Sequence, residues 1–249
     1  HLVKKVDTDK HLFFKEPKEV KKVAVILVST NRGLCGSFNA TLVNKVIESI
    51  KIHHPGVITT DVMTCGTKGR DEVRRRKINL VADFHKEDIT ANSEDIRPIS
   101  HMITKDFITG KYDKIFVAYT DFMSSLKQVP HVKQLLPIVP EIDERLGHIN
   151  HDKDKVENIS VDSFAEFIFE PGMEKVLDAF LPRLVEVQIY QAVLESEASE
   201  HSARMFAMRN ATDAAGEMID ELTLAYNQAR QASITSEIAE IAAGSAALE

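Results

Sequence analysis

No proline follows Pro182. The rest of the chain therefore lacks the one side chain that removes a helical hydrogen bond and clashes with the preceding turn. Glycine is scarce there too, with only Gly216 and Gly244 beyond that point. The two cysteines, Cys35 and Cys65, have a separation that matches no metal or redox motif and suit a reducing compartment. No apolar run approaches the ~20 residues needed to cross a bilayer, and no secretory signal is legible. Acidic residues exceed basic ones, 38 against 31, giving a net charge of −7, so the electrostatic footprint of a nucleic-acid binder is missing. Tryptophan is absent, which decides nothing.

The 249 residues are 43% hydrophobic and 28% charged, enough for one good core. The opening residue is His1 and not Met, and the expectation is a piece of a longer protein, with Leu248-Glu249 set aside as an added tail. Residues 1–22 are Lys-rich, carry Pro17 and show neither helical nor strand period; they read as an extended lead-in. Val23–Val28 is a continuous apolar run of strand length, as for a strand covered on both faces. A polar loop, Ser29–Ser37, leads to a helix from Phe38 to Ile52. Val57–Thr64 reads as a second strand, Lys68–Arg76 as a charged helix, Ile78–Phe84 as a third strand and Ser93–Ile108 as another helix. Lys114–Tyr119 repeats the buried-strand pattern, and Gln128–Val139 alternates between prolines like an edge or antiparallel strand. Glu141–Glu157 reads as a surface loop and Phe164–Phe169 as a last strand. Strands alternating with helices predict a Rossmann-like three-layer α/β domain over 23–171 with a mainly parallel sheet.

From residue 172 the pattern turns helical, and Pro182 either opens the long helix or kinks it. Counted from His201 in steps of four and three, the helix carries Met205, Met208, Thr212, Ala215, Ile219, Leu222, Tyr226, Ala229, Ser233 and Ser236. That spacing is the a/d seam of a left-handed coiled coil. Polar residues, Glu200, Arg204, Arg209, Asp213, Glu217 and Arg230 among them, surround it, as on a wet shaft with one narrow dry stripe. At about 1.5 Å per residue the roughly sixty residues after Pro182 make a rod on the order of 90 Å, too long for a compact domain. The predicted division is thus lead-in 1–22, domain 23–171 and terminal helices 172–249, the last supplying one strand of a shaft.

Catalytic constellations are not legible. The loop Ser29–Ser37 contains Gly33-x-x-Gly36 after a strand, where nucleotide-binding folds hold phosphate, but neither the dinucleotide fingerprint nor a P-loop lysine is there. Gly66-Thr-Lys-Gly69 is a similar signal, and both read better as tight turns. The histidines 53, 54, 101, 131, 148 and 151 form no ligand set, and Ser29, Ser37 and Cys35 have no positioned base. No catalytic residue, metal or cofactor is assigned. The runner-up reading is a nucleotide-binding Rossmann-like enzyme with an oligomerisation helix.

Ser199–Asp213 and Glu221–Ile238 resemble the terminal helix of the gamma subunit of the F-type ATP synthase, and Ser29–Asn39 resembles that family's first strand-to-helix loop. The resemblance runs from about Val23 to the end. It implies a non-catalytic central stalk that transmits torque between the membrane ring and the alpha/beta catalytic hexamer of a proton-translocating complex. The partners implied are the alpha, beta and epsilon subunits, the membrane c-ring and an N-terminal helix of the same subunit, which pairs with the seam and is missing here. The implied location is peripheral, on the cytoplasmic face of a bacterial inner membrane. By the same resemblance Arg230, Gln231 and Thr235 contact loops of the beta subunit.

Overall fold

The computed structural model describes residues 11–17, 19–53, 55–86, 93–139, 170 and 172–246. The expected loop Glu141–Glu157 and strand Phe164–Phe169 lie outside them. Strands β1 (Lys22–Val28), β2 (Thr59–Cys65), β3 (Asn79–Phe84) and β4 (Lys114–Phe122) are parallel, and β5 (Gln128–Leu136) is antiparallel at the edge. Their order across the sheet is β3-β2-β1-β4-β5.

The apolar run of β1 is explained by its central place. Val23, Val25 and Leu27 face one layer, where helix α1 (Phe38–His53) contributes Leu42, Val43 and Val46 and helix α2 (Thr67–Arg75) contributes Val73. Ala24, Ile26 and Val28 face the other, which holds Ile99, Ile103 and Phe107 of helix α3 (Arg97–Ile108). Successive strand side chains point to opposite faces, so a strand in the middle of three layers must be apolar at every position. The α/β layer domain with a long terminal helix is thus the fold that the pattern predicts.

Two glycines make the end of β1 possible. Gly66 has φ 114°, a backbone conformation that side-chain-bearing residues rarely adopt, and Gly69 donates its N–H to Ser29 Oγ at 3.0 Å. A Cβ on either would collide with Ser29. The Gly66–Gly69 stretch is therefore a turn built for close approach.

Within the described part of the lead-in, a 3-10 turn at Leu12–Phe14 buries Phe13 and Phe14, and Ile138 donates its N–H to the Phe13 carbonyl at 2.7 Å.

Helix α4 runs without interruption from Met173 to Ala246, 74 residues or roughly 110 Å. Pro182 lies inside it, so it neither opens nor ends the helix. The lower part lies on the sheet: Leu177, Leu181, Val185, Ile189 and Val193, four residues apart, are buried against β1, β4 and α3. Each contributes about 1.5–3 kcal/mol by area removed from water. From Met208 to Ser245 every residue but Asn227 is exposed or nearly so in the single chain, with Ile219 at 62% and Leu222 at 63%. One helix thus changes role along its length, from core element to free shaft.

This division predicts opposite responses to equivalent truncations. Ile189→Ala should destabilise the isolated chain by about 2–5 kcal/mol, whereas Ile219→Ala should stay within about 0.5 kcal/mol. Denaturant melts of the two variants check it; equal losses would mean that the shaft is packed in the monomer.

Candidate functional site

The crossovers leave β1 and β4 adjacent, with α1 on one face of the sheet and α3 on the other. In open α/β sheets, ligands sit outside the carboxyl ends of the strands at such a switch point. Here that crevice is filled by α4. Ser199 donates its hydroxyl to the Thr120 carbonyl at 3.0 Å, Ser202 donates to the Ser125 carbonyl at 2.7 Å, and Gln128 donates to Ser202 Oγ at 3.3 Å. Ser196, Ser199 and Ser202 are all buried; their small side chains let the helix come this close to β4.

Charged groups complete the contact. Lys86, just past β3, is 4% exposed and reaches beneath α4. Its ammonium lies 3.1 Å from Glu200 Oε2, 3.9 Å from Glu197 Oε1 and 3.4 Å from the Ser29 carbonyl. Arg204, one turn above, donates to the other Glu200 oxygen at 2.7 Å and to the Gly33 carbonyl at 3.3 Å. The Ser29–Ser37 loop is thereby engaged from both sides, and Asn39 holds its start by accepting the Thr30 N–H at 3.1 Å. Glu200 and Arg204, expected on the wet surface of the shaft, are instead part of its root. Periodicity shows that a polar stripe exists but not which neighbour it faces.

On the other side, α4 and the β4–β5 edge enclose a groove of about 690 Å³. Its floor is Val117, Tyr119, His131 and Lys133, with the Tyr119 and His131 rings edge-on at 5.8 Å, and its wall carries Gln191, Leu194, Glu195 and Ala198. Burial raises the pKa of Glu195, opposed by the hydrogen bond from Gln191 at 3.0 Å. Gln191, Leu194 and Ala198 continue the three-and-four spacing of the seam below His201. The groove wall and the exposed stripe are therefore one surface. The sequence signal for this extension was present, but a glutamine in the stripe hid it.

The other expected site residues fall on the projecting part. Met205, Met208, Thr212, Ala215, Ile219, Leu222, Tyr226 and Ala229 share a stripe and are all exposed. Arg230, Gln231 and Thr235 are exposed near the tip, where the Thr235 hydroxyl donates to the Gln231 carbonyl at 2.8 Å. That bond leaves the Thr235 oxygen as an acceptor, beside the donors of Arg230 and Gln231. No helix of the described residues is long and apolar enough to cross a membrane, and no cluster of acidic, His or Cys residues among them suits a metal.

The arrangement defines a class: an α/β foot whose switch-point crevice is taken up by the root of a long projecting helix, with an exposed stripe of mixed small and apolar residues running up it. The ATP synthase family model matches residues 1–248, and the chain belongs to the gamma subunits of that family. It is 44% identical over 231 residues to the ATP synthase gamma chain of Roseiflexus castenholzii, covering 92% of this chain and 73% of that protein. The gamma chain of Legionella pneumophila (strain Corby) matches at 36% over 248 residues, 100% of this chain and 81% of the relative. Among solved structures, the rotational state 3 assembly of the Euglena gracilis mitochondrial ATP synthase contains a similar chain, with TM-score 0.66, 18% identity, and 92% and 73% of the two chains covered. A chain in the central stalk and c-ring structure from Tetrahymena thermophila matches at TM-score 0.60 and 20% identity, covering 85% and 84%.

Cys65 lies beside Lys86 in a cavity of about 260 Å³. Burial pushes its thiol from 9.0 up to about 11, against the pull of the Lys86 charge. A group with a raised folded-state value contributes its full stability below pH 9 and loses it as the pH climbs through 11. Between those values Cys65→Ala should flatten the decline of unfolding free energy with pH, read from denaturant melts, by an amount on the order of 3 kcal/mol relative to the parent. Parallel declines in the two proteins would show that the Cys65 thiol contributes nothing to alkaline unfolding.

Proposed function

We propose that the chain is the central-stalk gamma subunit of a proton-translocating F-type ATP synthase, transmitting torque between a membrane ring and a catalytic alpha/beta hexamer. The observation that carries this reading is the single unbroken helix, rooted in the foot by core packing and ion pairs and bare for its upper half. Such a part is stiff along its axis and attached at one end, as a shaft must be.

The stripe needs a partner helix. In this reading it is the N-terminal helix of the same subunit, antiparallel to α4 along Met205–Ala229 and down into the groove wall at Ala198, Leu194 and Gln191. The relatives are longer than this chain, the match covering 73% of the Roseiflexus protein and 81% of the Legionella one, which leaves length enough for that helix. The seam is short of large apolar residues, so the pair is modest in stability and gains from the groove at its base.

The foot sits near the c-ring and the epsilon subunit, peripheral to the cytoplasmic face of a bacterial membrane, and the tip enters the hexamer. There Arg230, Gln231 and Thr235 hydrogen-bond loops of the beta subunits. A bond made by neutral Gln231 or Thr235 is worth about 0.5–1.5 kcal/mol and one made by the Arg230 cation about 1.5–3, magnitudes that suit contacts made and broken every turn. The subunit performs no chemistry; it forces the beta sites in sequence through states of different nucleotide affinity.

Arg230→Ala with Gln231→Ala should reduce ATP synthesis by the reconstituted complex by roughly tenfold, the equivalent of about 1.4 kcal/mol. The melting of the isolated chain should be unchanged, since both side chains are exposed. Parent-like synthesis by the double variant removes these residues from the mechanism.

A further inference from the structure

The apolar contact of α4 with the sheet is adhesive but carries no directional bonds. At the level where the helix leaves the foot the contact becomes polar, and its geometry is specific. Glu200 gives one oxygen to Lys86 and the other to Arg204, and each cation also grips a carbonyl at one end of the Ser29–Gly33 loop. Asn31 donates to the Lys86 carbonyl at 2.7 Å, which fixes the backbone from which the lysine reaches. The Lys86 side chain is 2% exposed, those of Glu197 and Glu200 are 9% and 11%, and the four charges cancel.

Buried ion pairs of this kind add little net stability, because desolvation offsets their attraction; apolar residues of similar size would hold the helix as well. What the charges add is a single allowed arrangement, since rotating or shifting α4 carries Glu200 away from Lys86 and Arg204 away from the Gly33 carbonyl, while the Glu200–Arg204 pair, within the helix, moves with it. We propose that Lys86 is a positioning residue that fixes the direction and rotational setting of the shaft where it leaves the foot. The leverage is large: over the roughly 55 Å of helix beyond Met208, a tilt of about 5° at the exit displaces the tip by about 5 Å. At Arg230 and Gln231, roughly 33 Å beyond Met208, the same tilt gives about 3 Å, enough to break a hydrogen bond there.

This inference rests on the stalk reading, and two measurements separate them. Spin labels at Lys51→Cys on α1 and Glu221→Cys on the shaft, both exposed, report the foot-to-shaft distance in the assembled complex; the native thiols are buried. Proton pumping per ATP hydrolysed by the same complex in vesicles reports coupling. The variant is Lys86→Met with Glu197→Leu, which keeps the site neutral and leaves the Glu200–Arg204 pair. It should fold, broaden or shift the distance distribution, and lower the pumping ratio by about twofold or more; Lys86→Arg should restore both. Lys86→Gln is the second variant, with the same expectation. Parent-like distances and ratio in a folded variant overturn the inference, as does loss of folding in both variants, which makes Lys86 a stability element. If parent complex lacking this chain still couples pumping to hydrolysis, the stalk reading itself fails.

Discussion

The packing of α4 across β1 and β4 is the contact on which the rest of the structure depends. It closes the core of the foot, since Leu181, Val185, Ile189 and Val193 cover the face of the sheet that α3 leaves bare. It also anchors everything that follows, because the same helix continues without a break to Ala246. An isolated helix of exposed residues is marginal in water; this one is nucleated and held at its root by tertiary packing. Removing the root contact would therefore cost both the foot and the shaft.

The same contact occupies the place where such a sheet commonly holds ligands. A doubly wound sheet offers a ready crevice at its switch point, and the first loop even carries glycines at suggestive positions. In this chain Ser199, Ser202 and Arg204 occupy that place and use the loop's carbonyl groups, or those of the neighbouring strand, as acceptors. A crevice that holds ligands elsewhere here holds the protein's own helix. Function is thus a property of the site and not of the fold.

Much of this was legible in the sequence, for identifiable reasons. The β1 run and the alternation of strands with helices report burial on two faces directly, so the layered domain follows from the pattern. The seam from Met205 to Ala229 is periodic and uninterrupted, so the shaft follows as well. The root was harder to read. Lys86 stands in a stretch without period, and nothing local marks it as the partner of residues more than a hundred positions away. Glu197, Glu200 and Arg204 do share one helix face, but a charged stripe looks the same whether it faces water or a buried lysine. Phe13 and Phe14 had only their aromatic character to suggest that the lead-in is pinned to the core.

Helix α4 is core below and bare above in the single chain, and in the proposed assembly a second helix covers its stripe. Amide hydrogen exchange along α4, measured on the isolated chain and on the assembled complex, tests it most directly. Slow exchange is expected over residues 177–202 in both, and fast exchange over 208–245 in the isolated chain that becomes slow on assembly. Equal protection of 208–245 in the two samples would contradict it, because the shaft would then need no partner.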